Sequence, residues 1–537
     1  MEYLSYAYGL NHWELDPDLR WIMALYWPKY REVEGELSHF GAVAGREIYE
    51  VAYHVDHDAR PILIAHDLDG RRVDRVRLSP AQASLLKQLA AINRPPYQGG
   101  TWHHHYALGY LVADPGLYCI LTITNQTAYA IHKYAPQFGM WKERLLEGQM
   151  WGATWMTEVQ GGSDLGSNTL RAVEAGGSWR LDGEKYFCSG AGLTDVALVT
   201  ARPQGAPQGA KGLALFLVPR LNGSGELNFF IRRLKDKSAT RGVPSGEVEF
   251  RGSQAFLVGQ MNEGIYYTLE VLTVSRLANA VAAMGIARKA QFEVSERVLR
   301  RRAFGSFLVD HPLIRRDLTD MEVRTAAGLL LGFHAVEAFQ RSWQQVPPYS
   351  ADYHYARFLS HLVKNRTADH AAEVTRLGME LFGGLGFLEE YAVARWHREA
   401  LITPIWEGPS NIQSLDLLEA MQKKQAHEAF LAEFVPMLEA AGTQEAYGAL
   451  RILDSTLSRL KASTVVEAQW YAKDAVARLA DVAQVALLYR LASLAGERYA
   501  DFAALYYKRF LDGEEYPSWA LQRENLWSIR KIHEVEV

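Results

Sequence analysis

Met156-Thr157-Glu158-Val159-Gln160-Gly161-Gly162-Ser163-Asp164 is the stretch from which the rest of the chain can be read. A strand ending in Thr-Glu and followed by two glycines lets main-chain amides approach a ligand closely, and the serine hydroxyl can then donate to a phosphate oxygen. A plain β-turn has the same composition, so the stretch is not specific by itself. About 250 residues later comes Ile405-Trp406-Glu407-Gly408, and the order and separation of the two stretches restrict the reading.

Between them the periodicity changes twice. Residues 1–150 read mainly as helix, with apolar positions three and four apart in Leu10 to Trp27 and Ala81 to Asn93. Ser79-Pro80 supplies a helix start, and Asp67 to Arg77 reads as an exposed connection around Asp69-Gly70. Strand-like runs then recur at Ala153 to Thr157, Thr169 to Ala172, Ser178 to Leu181, Ala197 to Ala201, Leu213 to Val218 and Glu247 to Phe250. Pro203 to Gly212 reads as a mobile hairpin connection. After Gly264 helical period returns in Tyr267 to Arg302, Leu313 to Gln345, Tyr353 to Phe382 and Ser410 to Met421, and continues beyond Gln422 with breaks at Pro436 and Gly442. The fold class expected is α+β, mainly α. It comprises an N-terminal helical domain (1–150), a middle antiparallel β-domain (151–262), a C-terminal four-helix bundle (263–420) and an extra C-terminal helical domain (421–537).

With 537 residues the chain exceeds the ~250 to 300 at which one core stops growing. A net charge of −5 gives no global attraction to nucleic acid or an anionic membrane. Cys119 and Cys188 make neither a disulfide framework nor a Cys-x-x-Cys site. No signal sequence is read at Met1-Glu2-Tyr3-Leu4-Ser5, no run approaches the ~18 apolar residues of a membrane span, and Glu536-Val537 is no sorting signal. A cytoplasmic protein without a membrane partner is expected. Trp102-His103-His104-His105 invites a metal reading, but adjacent histidines point different ways on a helix and no carboxylate stands at ligand spacing, so no metal is expected.

With these motifs the chain resembles the acyl-CoA dehydrogenases from about residue 100 to 420. The resemblance implies FAD as cofactor. Thr157 and Ser163 would meet the isoalloxazine edge and the pyrophosphate, with Met156 and Asn411 among the cofactor contacts. Phe187 and Ser189 fall where the family has Trp and Thr beside the flavin ring. Arg301-Arg302-Ala303-Phe304-Gly305 falls where it has Arg-x-x-Phe-Gly, so Arg301 and Phe304 would reach FAD of a neighbouring subunit. Glu380, Gly383 and Gly384 belong to a segment contacting its adenosine part across the dimer. Glu407 becomes the base that takes the α-proton of an acyl-CoA thioester while flavin N5 accepts the β-hydride, and its main-chain N–H helps polarise the thioester carbonyl. Ile405 and Trp406 are expected to give that carboxylate apolar surroundings that raise its pKa. A homotetramer built from dimers is implied.

Val159, Gln160, Pro312, Glu380 and Pro409 depart from the common family pattern. Together with Phe187-x-Ser189, the stretch from Gly70 to Arg77, Leu234-Lys235-Asp236-Lys237 and the long tail, they resemble the AidB branch, the alkylation-response flavoproteins. Turnover is then expected to be weak or directed at an unidentified acyl thioester. The alternative is a stress-response flavoprotein that binds double-stranded DNA or a fatty acyl ligand. Charge does not support DNA, since Met421 to Val537 holds 14 Lys and Arg against 16 Asp and Glu. Lys423-Lys424, Lys508-Arg509 and Arg530-Lys531 are pairs and not a stripe. Nitroalkane oxidation would prefer an aspartate base, and Glu407 speaks against it.

Overall fold

Strand-forming sequence is concentrated in one sheet, seen in a computed structural model that describes residues 5–523 and Leu526. Arg530 and Lys531 lie outside the described residues. The chain divides into two compact units: the described part of Met1–Tyr49, Thr101–Ala113 and Arg276–Val537, and the segments Glu50–Gly100 and Asp114–Ser275.

The second unit begins its β-structure with a hairpin, β1 (Ile62–His66) against β2 (Arg72–Arg77). The stretch from Asp67 to Arg77 is therefore largely strand, a correction to the exposed connection read from sequence. Buried Asp74 accepts from Arg72 Nε at 2.9 Å and from the Ile231 amide at 2.8 Å. The charged residues thus knit the hairpin to the sheet while masking its alternation.

That sheet contains β3 (Gly152–Trp155), β4 (Arg171–Ala175), β5 (Ser178–Ser189), β6 (Val196–Pro203), β7 (Ala214–Pro219), β8 (Phe230–Leu234) and β9 (Ser245–Leu257). Most pairings are antiparallel, as expected, but β3–β6 and β4–β6 are parallel. Residues 156–195 separate β3 from β6, a connection long enough for a crossover. Central β6 is buried along its whole length, which its uninterrupted Val-Ala-Leu-Val run requires. Trp155, Leu181, Val199, Phe216, Phe229 and Phe250 fill the core. β8 escaped sequence reading because Arg232 and Arg233 interrupt its apolar pattern. The Pro203–Gly212 connection is braced and not loose: Arg202 donates to Gly209 O at 3.0 Å and to Gly166 O at 2.8 Å.

The long helix Gly264–Arg300 starts in the second unit and ends in the first. It is apolar enough to pass as a membrane span, contrary to the sequence reading, yet 89% of that apolar window is buried, so it is a core helix. In the first unit it is joined by Pro312–Ser342, Ala351–Phe382 and Ser410–Lys424. The tail adds Ala426–Ala441, Gln444–Ala462, Val465–Ala495 and Glu497–Tyr506. Pro436 does not break its helix. The carbonyl that loses a donor belongs to Ala432, which is exposed and can be hydrated. The break comes instead at Gln425, with φ +52°, and again at Gly442.

The tail helices share a unit with the bundle, joined by apolar packing such as Leu418 on Ala468 and Ala472 and by buried charges. Arg366 forks onto Asp481 at 2.5 and 2.9 Å, and Tyr506 donates to the same carboxylate at 2.6 Å. His103 and His104 are likewise occupied, with Nε2 3.0 Å from Glu337 and Glu36 respectively. The carboxylates missing from their sequence neighbourhood come from other helices.

Candidate active site

In the second unit, the Met156–Asp164 loop is held from beneath by a buried ion pair. Lys185 on β5 donates to Glu158 Oε1 at 2.9 Å and to Met156 O at 3.0 Å. Glu158 also accepts from the amides of Thr169 at 2.6 Å and Leu170 at 3.1 Å. Burial pushes the Lys185 ammonium down, with Glu158 opposing. Burial would raise the Glu158 carboxyl, but Lys185 and the two amides outweigh it and bring it below the usual range. Tyr186 N donates to Thr157 O at 2.9 Å, which ties the loop to β5.

The consequence is a fixed loop whose polar tip faces outward: Ser163 is exposed and Thr157 half-buried. A Cβ at Gly162 would lie 2.5 Å from Thr157 Oγ1, so the second glycine is required by space. Gln160, one of the departures from the family pattern, donates to Asn168 Oδ1 at 2.9 Å and pins the turn in another way. Phe187 is 58% exposed on the sheet, with the Lys235 ammonium 4.8 Å from its ring centroid and 3.3 Å from that of Tyr186. Ser189 lies behind it, its carbonyl accepting from Trp155 Nε1 at 2.9 Å and its hydroxyl 3.4 Å from that of Ser245. A glycine-lined polar tip and an exposed flat ring fit a phosphate-bearing aromatic cofactor.

In the first unit, Glu407 stands on the turn between the helices Ala392–Ala400 and Ser410–Lys424. Its φ is +58°, unusual for a residue with a side chain, and Gly408 follows at +94°. Donors converge on this turn. The Glu407 carbonyl accepts from Arg276 Nε at 3.1 Å and from Gln413 Nε2 at 2.9 Å. That of Gly408 accepts from Lys364 Nζ at 2.7 Å and Gln413 Nε2 at 3.0 Å. Trp406 donates its indole N–H to Asn279, and His361 Nδ1 lies 2.8 Å from Gln413 Oε1. A Cβ at Gly408 would come within 2.7 Å of Gln413 Nε2. Pro409 caps the next helix through its carbonyl alone, which accepts from Ile412 and Gln413.

The expected apolar surroundings of Glu407 are corrected here. Ile405 is 62% exposed, and Trp406 is half-buried and tied to Asn279. Arg276 and Lys364 are among the charges that interact with Glu407 within this unit. Asn411 is exposed on the first turn of the following helix.

A second group in the same unit lies at two helix ends. Arg301 is exposed, and Phe304, at the tip of the hairpin β10 (Arg302–Ala303) and β11 (Ser306–Phe307), is 98% exposed with φ +50°. Arg297 joins this end to the glycine turn by donating to Phe382 O at 3.0 Å and covering the Phe382 ring. Gly383, with φ +61°, and Gly384 are exposed, and Glu380 pairs with Arg376 at 2.7 Å. Lys185, Lys364, Arg276, Gln413 and Arg297 carried no role in the sequence reading. Lone polar residues inside helical or strand patterns give no signal there, although a lysine at a core-facing position was a detectable anomaly.

The two motif groups agree with comparisons to known proteins. Residues 6–150 match the N-terminal domain of the adaptive response protein AidB, 153–253 the acyl-CoA dehydrogenase middle domain, and 262–422 the acyl-CoA dehydrogenase C-terminal domain. AidB of Escherichia coli (strain K12) is 31% identical over 400 residues, spanning 70% of this chain and 71% of that protein. Caenorhabditis elegans ACDH-11, solved in complex with C11-CoA, superposes with a TM-score of 0.85 at 24% identity, covering 99% of this chain and 95% of that one. The apo form of Bd2924 gives a TM-score of 0.79 at 26% identity, covering 91% and 99%. The chain belongs to the acyl-CoA dehydrogenase family. Within it the chain is AidB-like, and its cofactor is FAD.

Proposed function

We propose that this protein is an FAD-dependent oxidoreductase of acyl-CoA thioesters in which Glu407 is the base. The observation that carries the reading is the Glu407 turn itself: a carboxylate on left-handed backbone, braced by Arg276, Gln413 and Lys364, ahead of the helix Ser410–Lys424. Strained backbone that the surroundings overdetermine is a signature of functional positions.

Glu407 takes the α-proton of the thioester onto its carboxylate, and its main-chain N–H donates to the thioester carbonyl, stabilising the negative charge that develops there. Arg276 and Gln413 hold that peptide unit by its carbonyl. Met156, Thr157 and Ser163 hold the cofactor on the loop that Lys185 and Glu158 fix, with Phe187 and Ser189 beside its ring and Asn411 among its contacts. Bound FAD would supply the acceptor for the β-hydride. Arg301, Phe304, Glu380, Gly383 and Gly384 serve the cofactor of a second copy in a homotetramer built from dimers, a role supported by the exposure of Phe304. A cytoplasmic location completes the proposal.

A second reading is binding of a fatty acyl ligand with little turnover. Cationic neighbours favour the ionised form of Glu407 and make it a weaker base than an enclosed carboxylate. Among the described residues of the tail, Lys423 pairs with Glu419, Lys508 with Glu514 and Arg509 with Asp320, which leaves these cations little to offer DNA. Anaerobic titration of the yellow protein with saturated acyl-CoAs of increasing length tests both readings, and the C11-CoA complex of ACDH-11 supports starting at medium length. Bleaching of the visible flavin band is expected. Binding of every acyl-CoA without bleaching would favour the second reading.

A further inference from the structure

Lys364 sits in the middle of the helix Ala351–Phe382 and is 1% exposed. A lysine so buried normally pairs with a carboxylate or has its stem covered and its head in water. Here both hydrogen bonds go to main-chain carbonyls, those of Pro404 at 3.2 Å and Gly408 at 2.7 Å. These two residues are the feet of the turn Ile405–Glu407, so one ammonium closes the turn across its base. Arg276 and Gln413 hold the Glu407 carbonyl, but neither reaches Pro404. Lys364 therefore has a place in the turn that the other donors do not duplicate.

We propose that Lys364 is the positioning residue of the base: it staples Pro404 to Gly408, keeping Glu407 in its left-handed conformation. This rests on the reading of Glu407 as base.

The charged groups around Lys364 are Glu407 on the turn, Arg276 on the helix Gly264–Arg300, and Asp369 on its own helix, while Asp416 on the helix Ser410–Lys424 faces Arg276. Burial pushes the Lys364 ammonium down to about 7, with Arg276 acting in the same direction and Glu407 and Asp369 opposing. Below about pH 7 the lysine is a cation that favours ionised Glu407 and so holds the carboxylate ionised to lower pH. As pH rises through about 7 that charge is lost. The charge therefore acts on the acid limb of the pH profile.

The test uses the FAD-loaded protein as wild type, Lys364→Met and Lys364→Arg. Amide hydrogen exchange of residues 405–408 is expected to quicken in Lys364→Met and stay near wild type in Lys364→Arg. For flavin reduction by acyl-CoA, the acid limb in Lys364→Met moves up by about one pH unit. The maximal rate falls on the order of tenfold or more with little change in the half-saturating concentration. Unchanged exchange at 405–408 in Lys364→Met overturns the staple, and an unmoved acid limb overturns the role of the charge. If Lys364→Met does not fold, Lys364→Gln replaces it, keeping a donor without charge: it must move the acid limb while leaving exchange closer to wild type. If no acyl-CoA reduces even the wild-type flavin, the base reading fails, and hydrogen exchange still decides the staple independently.

Discussion

Arg498 donates to Asp18 across 480 residues of sequence, its Nη1 2.7 Å from Oδ1 of the fully buried carboxylate. Arg498 also reaches Glu322 at 2.5 Å, and Arg288 completes the cluster with Asp18 at 2.6 Å and Glu322 at 2.9 Å. The tail, the N-terminal segment and the bundle thereby share one buried charge network. Burial would raise the Asp18 carboxyl, but Arg498 and Arg288 outweigh it and hold it far below its ordinary range.

Removing Arg498 leaves Asp18 and Glu322 buried and sharing Arg288, with one positive charge fewer to offset them. Arg498→Met is expected to destabilise the protein by about 3–5 kcal/mol, measured by urea or thermal unfolding. Because the Asp18 carboxyl is depressed, its contribution is present above the ordinary value of 3.8 and is lost only as pH falls through the much lower folded value. A variant as stable as wild type at neutral pH would show that the tail is held by apolar packing alone.

Glu407→Gln keeps the size and donors of the turn and removes the base. Reduction of the flavin by an acyl-CoA that bleaches the wild type should slow by about 10²- to 10⁴-fold, with ligand affinity and unfolding midpoint nearly unchanged. Stopped-flow absorbance measures it. Equal rates would remove Glu407 from the chemistry.

Lys185→Met strips the counter-ion from buried Glu158 and takes from the Met156 carbonyl one of its two donors, leaving Asn168 Nδ2 at 2.8 Å. FAD affinity should fall about tenfold or more, the equivalent of one charge-assisted hydrogen bond, when apoprotein is titrated with FAD. The double variant Lys185→Met, Glu158→Gln should recover part of the lost stability, since no unpaired charge remains. Undiminished affinity in the single variant would mean that the loop holds its shape without the pair.

Glu293 is buried, accepting from the Ser5 hydroxyl and from the amides of Tyr6 at 2.9 Å and Ala7 at 3.4 Å. Burial raises its carboxyl to about 7 from an ordinary 4.5, the three donors opposing. A raised carboxyl makes stability greatest below the unfolded value; stability declines as pH rises from 4.5 to 7 and stays level above. Glu293→Gln should thus gain stability over wild type as pH rises through that window, by about 2–3 kcal/mol at neutrality. A difference between the two proteins that does not change between pH 4.5 and 7 would contradict it.

The helices were largely legible because their periodicity is local. Ser79 does cap the helix Pro80–Leu89, accepting from Gln82 N at 3.2 Å, and Gly383 does end the helix Ala351–Phe382. The strands were legible where β-branched and apolar residues ran together and were missed where charge was needed for docking, as at Arg72, Asp74, Arg232 and Arg233. Pro436 misled for the opposite reason: its cost inside a helix depends on whether the orphaned carbonyl can be hydrated, which sequence does not record.

By itself the sequence determined the family, the cofactor and the order of helices, strands and helices, because short motifs at fixed separation and hydrophobic period are properties of neighbouring residues. Only the tertiary structure decided what surrounds Glu407. The apolar neighbours Ile405 and Trp406 do not enclose it, and the residues that hold its turn, Arg276, Lys364 and Gln413, come from three helices. The same holds for Lys185 beneath the glycine loop and Arg498 beside Asp18. Buried polar groups take whichever partner the fold brings within hydrogen-bonding distance, and that choice depends on packing between elements far apart in the chain.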